Sequence, residues 1–276
     1  MYPRLSNLQG AKLIKARLAD SHKGTYGHSL IIAGAGGNMG AAVIAAKACM
    51  RTGTGLLTVV IPYSERAILQ SALPEAMIVS NKATIDFNKF SAIGIGPAVG
   101  ITKHSLLLLY KILNKANLPL LIDADAISLL AKNKQLWKKI PAGSVLTPHV
   151  AEFDRLFGQH DTAKERMQKA VALSKKYPWV IVLKNFETLI AFNGEAVVST
   201  AGNAGLAKGG SGDMLSGMIT ALLAQGYAAF NAAKIGVQLH GIAADIALAH
   251  QSMESLLATD VIEEIGGAFK KVIKRL

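Results

Sequence analysis

The stretch Asn203-Ala-Gly-Leu-Ala-Lys-Gly-Gly-Ser-Gly-Asp213-Met-Leu-Ser-Gly217 sets several glycines close together and ends them in an acid that opens an apolar helical run. Gly209, Gly210 and Gly212 let the backbone take left-handed conformations and come close to a ligand. The first amides of the following helix lack partners within it and point their N–H groups outward, which suits a phosphate. An acid beside a phosphate is repelled by it unless the acid handles a proton or a metal. Asp213 therefore points to attack by a substrate hydroxyl on a phosphoryl group. The plainer reading is a glycine-rich turn in which Ser211 or Asp213 only caps the helix.

Upstream of this loop, short β-branched or leucine-rich runs alternate with longer helical ones, the pattern of a mostly parallel sheet covered on both faces. Strands are expected at 29–33, 56–61, 76–79, 92–95, 119–122, 144–146 and 180–183, and helices at 41–52, 105–115, 126–132 and 162–175. Asn193-Gly194 joins 188–192 to 196–199 as a tight hairpin. Beyond Gly212 the chain turns alanine-rich, with helices expected at 214–223, 228–249 and 259–271.

With 276 residues, 51% hydrophobic and 17% charged, the chain can bury a large core, and one domain over 1–276 is expected. No run approaches the roughly 20 apolar residues of a membrane span. Arg4, Lys12, Lys15 and Arg17 have no continuous apolar segment behind them, so a cytoplasmic protein without a membrane partner is expected. Cys49 is the only cysteine and reads as a small buried apolar residue. The net charge of +12 raises the question of nucleic acid. Its bases are scattered, however, and the one dense run, Lys270, Lys271, Lys274 and Arg275, lacks interleaved aromatic residues, so no nucleic-acid partner is expected. A positive field also speeds capture of anionic small molecules.

Other motifs follow strands. The run from Gly34 through Gly36 to Gly40 has G-x-G-x-x-x-G spacing, and the acid of a dinucleotide fingerprint has only Glu65, beyond Pro62, as a candidate. Backbone at Gly40 and Ala41 lining a pocket for part of a nucleotide-like ligand is the preferred alternative. Gly96-Pro97-Ala98-Val99-Gly100 either leaves room for a ligand at a strand end or is a plain turn. Asp123 and Asp125 end an apolar strand, where a carboxylate can hold magnesium through water or bond a ribose, or Asp125 can cap the next helix. His149, entering a helix with Glu152, either contacts substrate and shuttles a proton or is structural. Lys184 in the turn before Thr188 can grip a nucleotide or only connect two strands. His240 and His250 have no partners at metal-ligand spacing and read as core or surface residues.

In order and spacing this set resembles the ADP- or ATP-dependent NAD(P)H-hydrate dehydratases of the ribokinase-like superfamily. The resemblance rests on Ser21-His-Lys-Gly24-Thr-Tyr-Gly27, Gly40-Ala41-Ala42, Gly96-Pro97, Asp123-Ala-Asp125-Ala, Thr147-Pro148-His149 with Glu152, Val182-Leu183-Lys184 and, most specifically, Asn203 through Gly217. It implies a three-layer α/β/α sandwich around a mostly parallel sheet. It also implies that Asp213 is the catalytic acid/base at the hydrated nicotinamide, and that Ala41, Gly96, Ala98, Gly100 and His149 contact the NAD(P)H hydrate. Lys184, Asn185, Phe186, Glu187 and Thr188, with Asn203, Gly209, Gly210 and Gly212, would line the site of the adenine nucleotide.

The same resemblance implies ADP or ATP as co-substrate with Mg²⁺, a homo-oligomer such as a tetramer, and a separate NAD(P)H-hydrate epimerase as functional partner. The absence of an epimerase module leans toward ADP. Three positions depart from the family pattern. Ala98 replaces a glycine, Lys184-Asn185 stands for Lys-Gly, and His149-Val150-Ala151-Glu152 stands for His-Pro-Gly-Glu. The rival readings are a vitamin-precursor kinase of the same superfamily, a nucleotide sensor, or an NAD-dependent oxidoreductase using the Gly34 to Gly40 loop.

Overall fold

Successive residues of each strand feed opposite faces of one nine-stranded sheet, as the continuous apolar runs require. The computed structural model describes residues 2–6 and 12–273, so Lys274 and Arg275 of the basic run lie outside the described residues. The strands are β1 (His28–Ile32), β2 (Leu56–Ile61), β3 (Met77–Ser80), β4 (Ala92–Ile95), β5 (Leu120–Ile122), β6 (Val145–Leu146), β7 (Val180–Leu183), β8 (Thr188–Phe192) and β9 (Glu195–Ser199). Their order is β3-β2-β1-β4-β5-β6-β7-β8-β9. β1 through β7 pair in parallel. β8 and β9 run antiparallel, and Asn193 and Gly194 take the positive φ values of 51° and 81° that the expected hairpin turn needs.

One face carries α1 (Met39–Arg51), α2 (Arg66–Ala72), α7 (Ser211–Ala224) and α8 (Ala229–Ala247), with α9 (Ala258–Glu263) and α10 (Ile265–Ile273) packed beyond them. The other carries α3 (Lys103–Lys115), α4 (Ala124–Lys132), α5 (Val150–Phe157) and α6 (Ala163–Lys176). In β7, for example, Val180 and Val182 pack toward α7 and α8, while Ile181 and Leu183 pack toward α5 and α6. This is the three-layer α/β/α sandwich around a mostly parallel sheet that the resemblance implies.

The expected elements fall within three residues of those found, the widest gap being at α7, which begins at Ser211 where 214 was expected, and the short α2 was not expected. One expectation is corrected. The helix expected over 259–271 is two helices broken at Glu264, whose ψ of 1° ends the first. Gly266 and Gly267, the weakest helix formers of the segment, follow the break.

Strand order reverses at β1, which lies between β2 and β4. Loops leaving β1 and β4 therefore diverge to opposite sides and open a crevice at the carboxyl ends of the strands, where open α/β sheets bind ligands. The two loops are tied across it, the Gly34 N–H donating to the Pro97 carbonyl at 2.8 Å.

Candidate active site

Gly210 holds the residue position just before α7 with φ 96°, a left-handed conformation that favours glycine, and it makes no side-chain capping bond. Neither Ser211 nor Asp213 caps the helix, so the capping explanation of the loop fails. Asp213 is the third residue of α7 and is half-buried. Burial pushes its carboxyl up, nearby Asp123 pushes it further, and Lys184 opposes both, leaving a pKa of about 6. A carboxyl near pH 6 at a helix N-terminus can take a proton from a hydroxyl while the helix amides hold an anion.

Asp123 ends β5 and is almost fully buried. Its Oδ1 lies 2.8 Å from Lys184 Nζ, donated from the end of β7, and its Oδ2 accepts the Ser216 hydroxyl of α7 at 2.6 Å. Ser216 Oγ also stands 3.0 Å from the Gly212 carbonyl. Burial disfavours charge on Lys184, yet Asp123, Glu152 and Asp213 outweigh it and raise its pKa, so the ammonium stays charged. A β-carbon on Gly212 would sit 3.3 Å from that ammonium, which places the cation against the first turn of α7.

The β4 loop closes over the same carboxylate. Gly96 has φ 140°, and a β-carbon there would lie 1.8 Å from the Asp123 carbonyl oxygen, so no side chain fits. Ala98 takes φ 51°, a conformation uncommon outside glycine. The Gly100 N–H donates to Asp125 Oδ2 at 2.9 Å. Asp125 thus ties down a loop instead of capping α4. Asp123 sits at that cap position without a capping bond.

His149 caps α5. Its Nδ1 accepts the N–H groups of Ala151 and Glu152 at 3.1 and 3.4 Å, and its own N–H donates to Glu152 Oε2 at 2.9 Å. Nε2 lies 3.4 Å from Glu152 Oε1. These capping bonds supply the structural side of the sequence reading. Its half-exposed ring keeps an edge and a face for a ligand. Glu152 is buried, and burial raises its carboxyl, with Lys184 opposing. The Lys184 N–H bonds the Pro148 carbonyl at 2.9 Å, which fixes the ends of β6 and β7 side by side.

The tertiary structure therefore gathers Asp123, Glu152, Lys184, Gly212 and Asp213 at one place. Gly209 and Gly210 lead into the same turn. Ala41 lies half-buried in the first turn of α1, whose cap residue Asn38 makes no side-chain bond. Asn185, Phe186 and Glu187 form the turn to Thr188 and spend their polar groups locally. Phe186 N–H bonds Asn185 Oδ1 at 2.9 Å, Thr188 Oγ1 reaches the Asn185 carbonyl at 3.3 Å, and Glu187 pairs with Arg4 at 3.5 Å. Phe186 is 83% exposed at the tip. Asn203 caps the short turn Ala204–Leu206 and donates to Asp245 Oδ1 at 3.1 Å. Sequence reading missed Ser216, although its place three residues after Asp213 puts both on one side of α7.

Among the described residues, no three carboxylate, histidine or cysteine side chains gather as a metal site, and no helix is long and apolar enough to cross a membrane. A cleft of about 750 Å³ lies elsewhere, at the far end of α7 by Gln225 and Tyr227. Its cations serve helix ends, with Lys15 Nζ bonding the Gly226 carbonyl at 3.0 Å and Arg17 bonding that of Gly53. At the carboxylate cluster, by contrast, ionisable groups converge on a helix N-terminus.

A family profile described as NAD(P)H-hydrate dehydratase matches residues 29–266. The chain is 38% identical over 263 residues to the Bifunctional NAD(P)H-hydrate repair enzyme Nnr of Coxiella burnetii, covering 92% of this chain and 52% of that one. It is 35% identical to the ADP-dependent (S)-NAD(P)H-hydrate dehydratase of Neisseria meningitidis, covering 85% and 81%. It superposes at a TM-score of 0.90 on the ADP/ATP-dependent NAD(P)H-hydrate dehydratase of Bacillus subtilis co-crystallised with ATP and Mg²⁺, at 31% identity over 98% of this chain and 99% of that one. The chain spans about half the length of the bifunctional relatives it matches.

Proposed function

The chain belongs to the NAD(P)H-hydrate dehydratase family, and we propose that it converts the S form of NADH or NADPH hydrate back to NADH or NADPH, consuming ADP or ATP. Residues 1–276 act as one ribokinase-like domain, built around the single nine-stranded sheet. The observation that carries the proposal is Asp213, held near pH 6 at the uncapped start of α7 beside a buried lysine.

The hydrated ring carries a hydroxyl at C6, a poor leaving group. Asp213 takes the hydroxyl proton as the oxygen attacks the terminal phosphorus of the nucleotide, and AMP leaves from ADP, or ADP from ATP. The first amides of α7 and Lys184 face the charge that develops on the phosphoryl oxygens. The ring nitrogen lone pair then expels phosphate from C6, and a proton lost from C5 restores the double bond. The sum is hydrate plus ADP giving NAD(P)H, AMP and phosphate.

Asp123 is committed to Lys184 and Ser216, and no group of three metal-ligating side chains gathers among the described residues. Magnesium bound with the nucleotide would neutralise charge on its phosphates, next to Lys184 and the first amides of α7. Ala41, Gly96, Ala98, Gly100 and the His149 ring bound the crevice for the hydrate. Lys184 to Thr188, Asn203, Gly209, Gly210 and Gly212 bound the nucleotide. In this proposal the enzyme works in the cytoplasm as a homotetramer, and an epimerase activity supplies the S form.

The test is absorbance at 340 nm after mixing the protein with NADH hydrate, Mg²⁺ and either ADP or ATP. Signal growth only with nucleotide supports the dehydratase and identifies its donor. A flat trace with both moves the assignment to a small-molecule kinase.

A further inference from the structure

His240 lies on α8, which packs along α7, and it is only 9% exposed. Its Nε2 is fully buried and has no hydrogen-bond partner among the described residues. The main chain of Ser211, the first residue of α7, lies close enough to the ring to favour its protonated form, in opposition to burial. A buried imidazole with half its polar capacity unmet is costly, and an apolar side chain of the same size would fill the space without that cost. The first turn of α7 has little to hold it by itself, because Gly210 and Gly212 bring no side chain to pack. Ser216 braces it from the Asp123 side, and Ile44 and Ala258 lie against Gly210. His240 stands behind Ser211, outside the carboxylate cluster.

We propose that His240 is a positioning residue for phosphoryl transfer, fixing the first turn of α7 so that the Gly212 amide and the Asp213 carboxyl stay aimed at the transferred group. The proposal rests on the dehydratase reading for its chemistry and on the packing of α8 against Ser211 for its geometry. Burial, followed by the charge on Lys184, pushes the imidazole down to about 4, so it stays neutral and adds no second cation beneath the phosphate.

The experiment compares wild type with His240→Phe, His240→Asn and His240→Gln in two measurements. The first is amide hydrogen exchange of the segment 203–217 without ligand; the second is the split between kcat and KM for the nucleotide. The expected result for His240→Phe is unchanged or higher thermal stability, at least tenfold faster exchange at the first turn of α7, and a drop of about tenfold or more in kcat. One of the two amide variants, which keep a donor on one side of the ring's position, recovers most of both. Wild-type exchange and kinetics in His240→Phe would overturn the proposal. If His240→Phe does not fold, the amide variants decide, and activity losses that merely track their folded fraction overturn it. Faster exchange in variants of a protein that shows no dehydratase activity would uphold the positioning role and defeat the dehydratase reading alone.

Discussion

Lys184 Nζ and Asp123 Oδ1 lie 2.8 Å apart, although 61 residues separate them, and the pair sits beneath the turn that carries Asp213. It sets the electrostatics of the site. The ammonium is held charged where phosphoryl oxygens would lie, and the carboxylate beside it helps to keep the Asp213 proton near pH 6.

Replacing Asp213 by Asn removes the base and keeps the shape. Turnover is expected to fall by about 10²- to 10⁴-fold, the range for loss of a general base. Nucleotide affinity, measured by calorimetry with ADP and Mg²⁺, is expected to change little. A variant with wild-type turnover removes Asp213 from the mechanism.

The pH dependence has a definite sign. Asp213 must be unprotonated to act, so kcat/KM is expected to fall about tenfold per pH unit below about pH 6. Its carboxyl also rises from an ordinary 3.8 to about 6 on folding, so the folded chain binds this proton more tightly than the unfolded chain between those values. Stability contributed by that proton is present below the lower value and is lost as pH rises through the upper one, up to about 3 kcal/mol in all. Asp213→Asn should therefore melt at a higher temperature than wild type near pH 8. The gap should close near pH 4, and scanning calorimetry at both pH values decides it.

Lys184→Met strands the Asp123 carboxylate in the interior with Ser216 as its remaining partner. Breaking a buried pair from one side costs about 3–5 kcal/mol, and replacing both charges costs much less than the two single changes added. Urea unfolding of Lys184→Met, Asp123→Asn and the double variant measures this. A loss below about 1 kcal/mol in Lys184→Met would show that the pair does not brace the fold.

Ala98 carries φ 51° in the loop over Asp123, at the position where the family pattern has glycine. A left-handed alanine costs roughly 1–2 kcal/mol, and glycine returns part of that gain through its freer unfolded chain. Ala98→Gly is expected to raise stability by up to about 1 kcal/mol. Ala98→Val should lower it by more than about 1 kcal/mol, because a β-branched residue tolerates this conformation poorly. Melting temperatures of the two variants should move in opposite directions.

Much of this molecule was legible beforehand. Continuous apolar runs such as Val180 to Leu183 announce strands buried on both faces, and the glycines from Gly209 to Gly212 announce a left-handed turn into a helix, because both signals are local. The roles of Asp123 and Asp125 were not legible. Each stood where a helix cap or metal ligand was reasonable, and only the approach of Lys184, Ser216 and Gly100 from distant segments gave them other partners. His149 read either as a substrate contact or proton shuttle or as a structural residue, and only the folded chain brings the amides of α5 to its Nδ1.

The sequence by itself determined the layered fold, the order of its strands along the chain, and the glycine-rich loop that leads into the helix carrying Asp213. Each follows from spacing within a dozen or so residues, where hydrophobic periodicity and glycine conformations act. The tertiary structure alone decided that Lys184 lies against Asp123, that Asp213 titrates near pH 6, and that His240 stands behind Ser211. Those depend on distances and burial between strands and helices far apart in the chain, because a carboxyl responds to every charge near it in space and to the water it has lost.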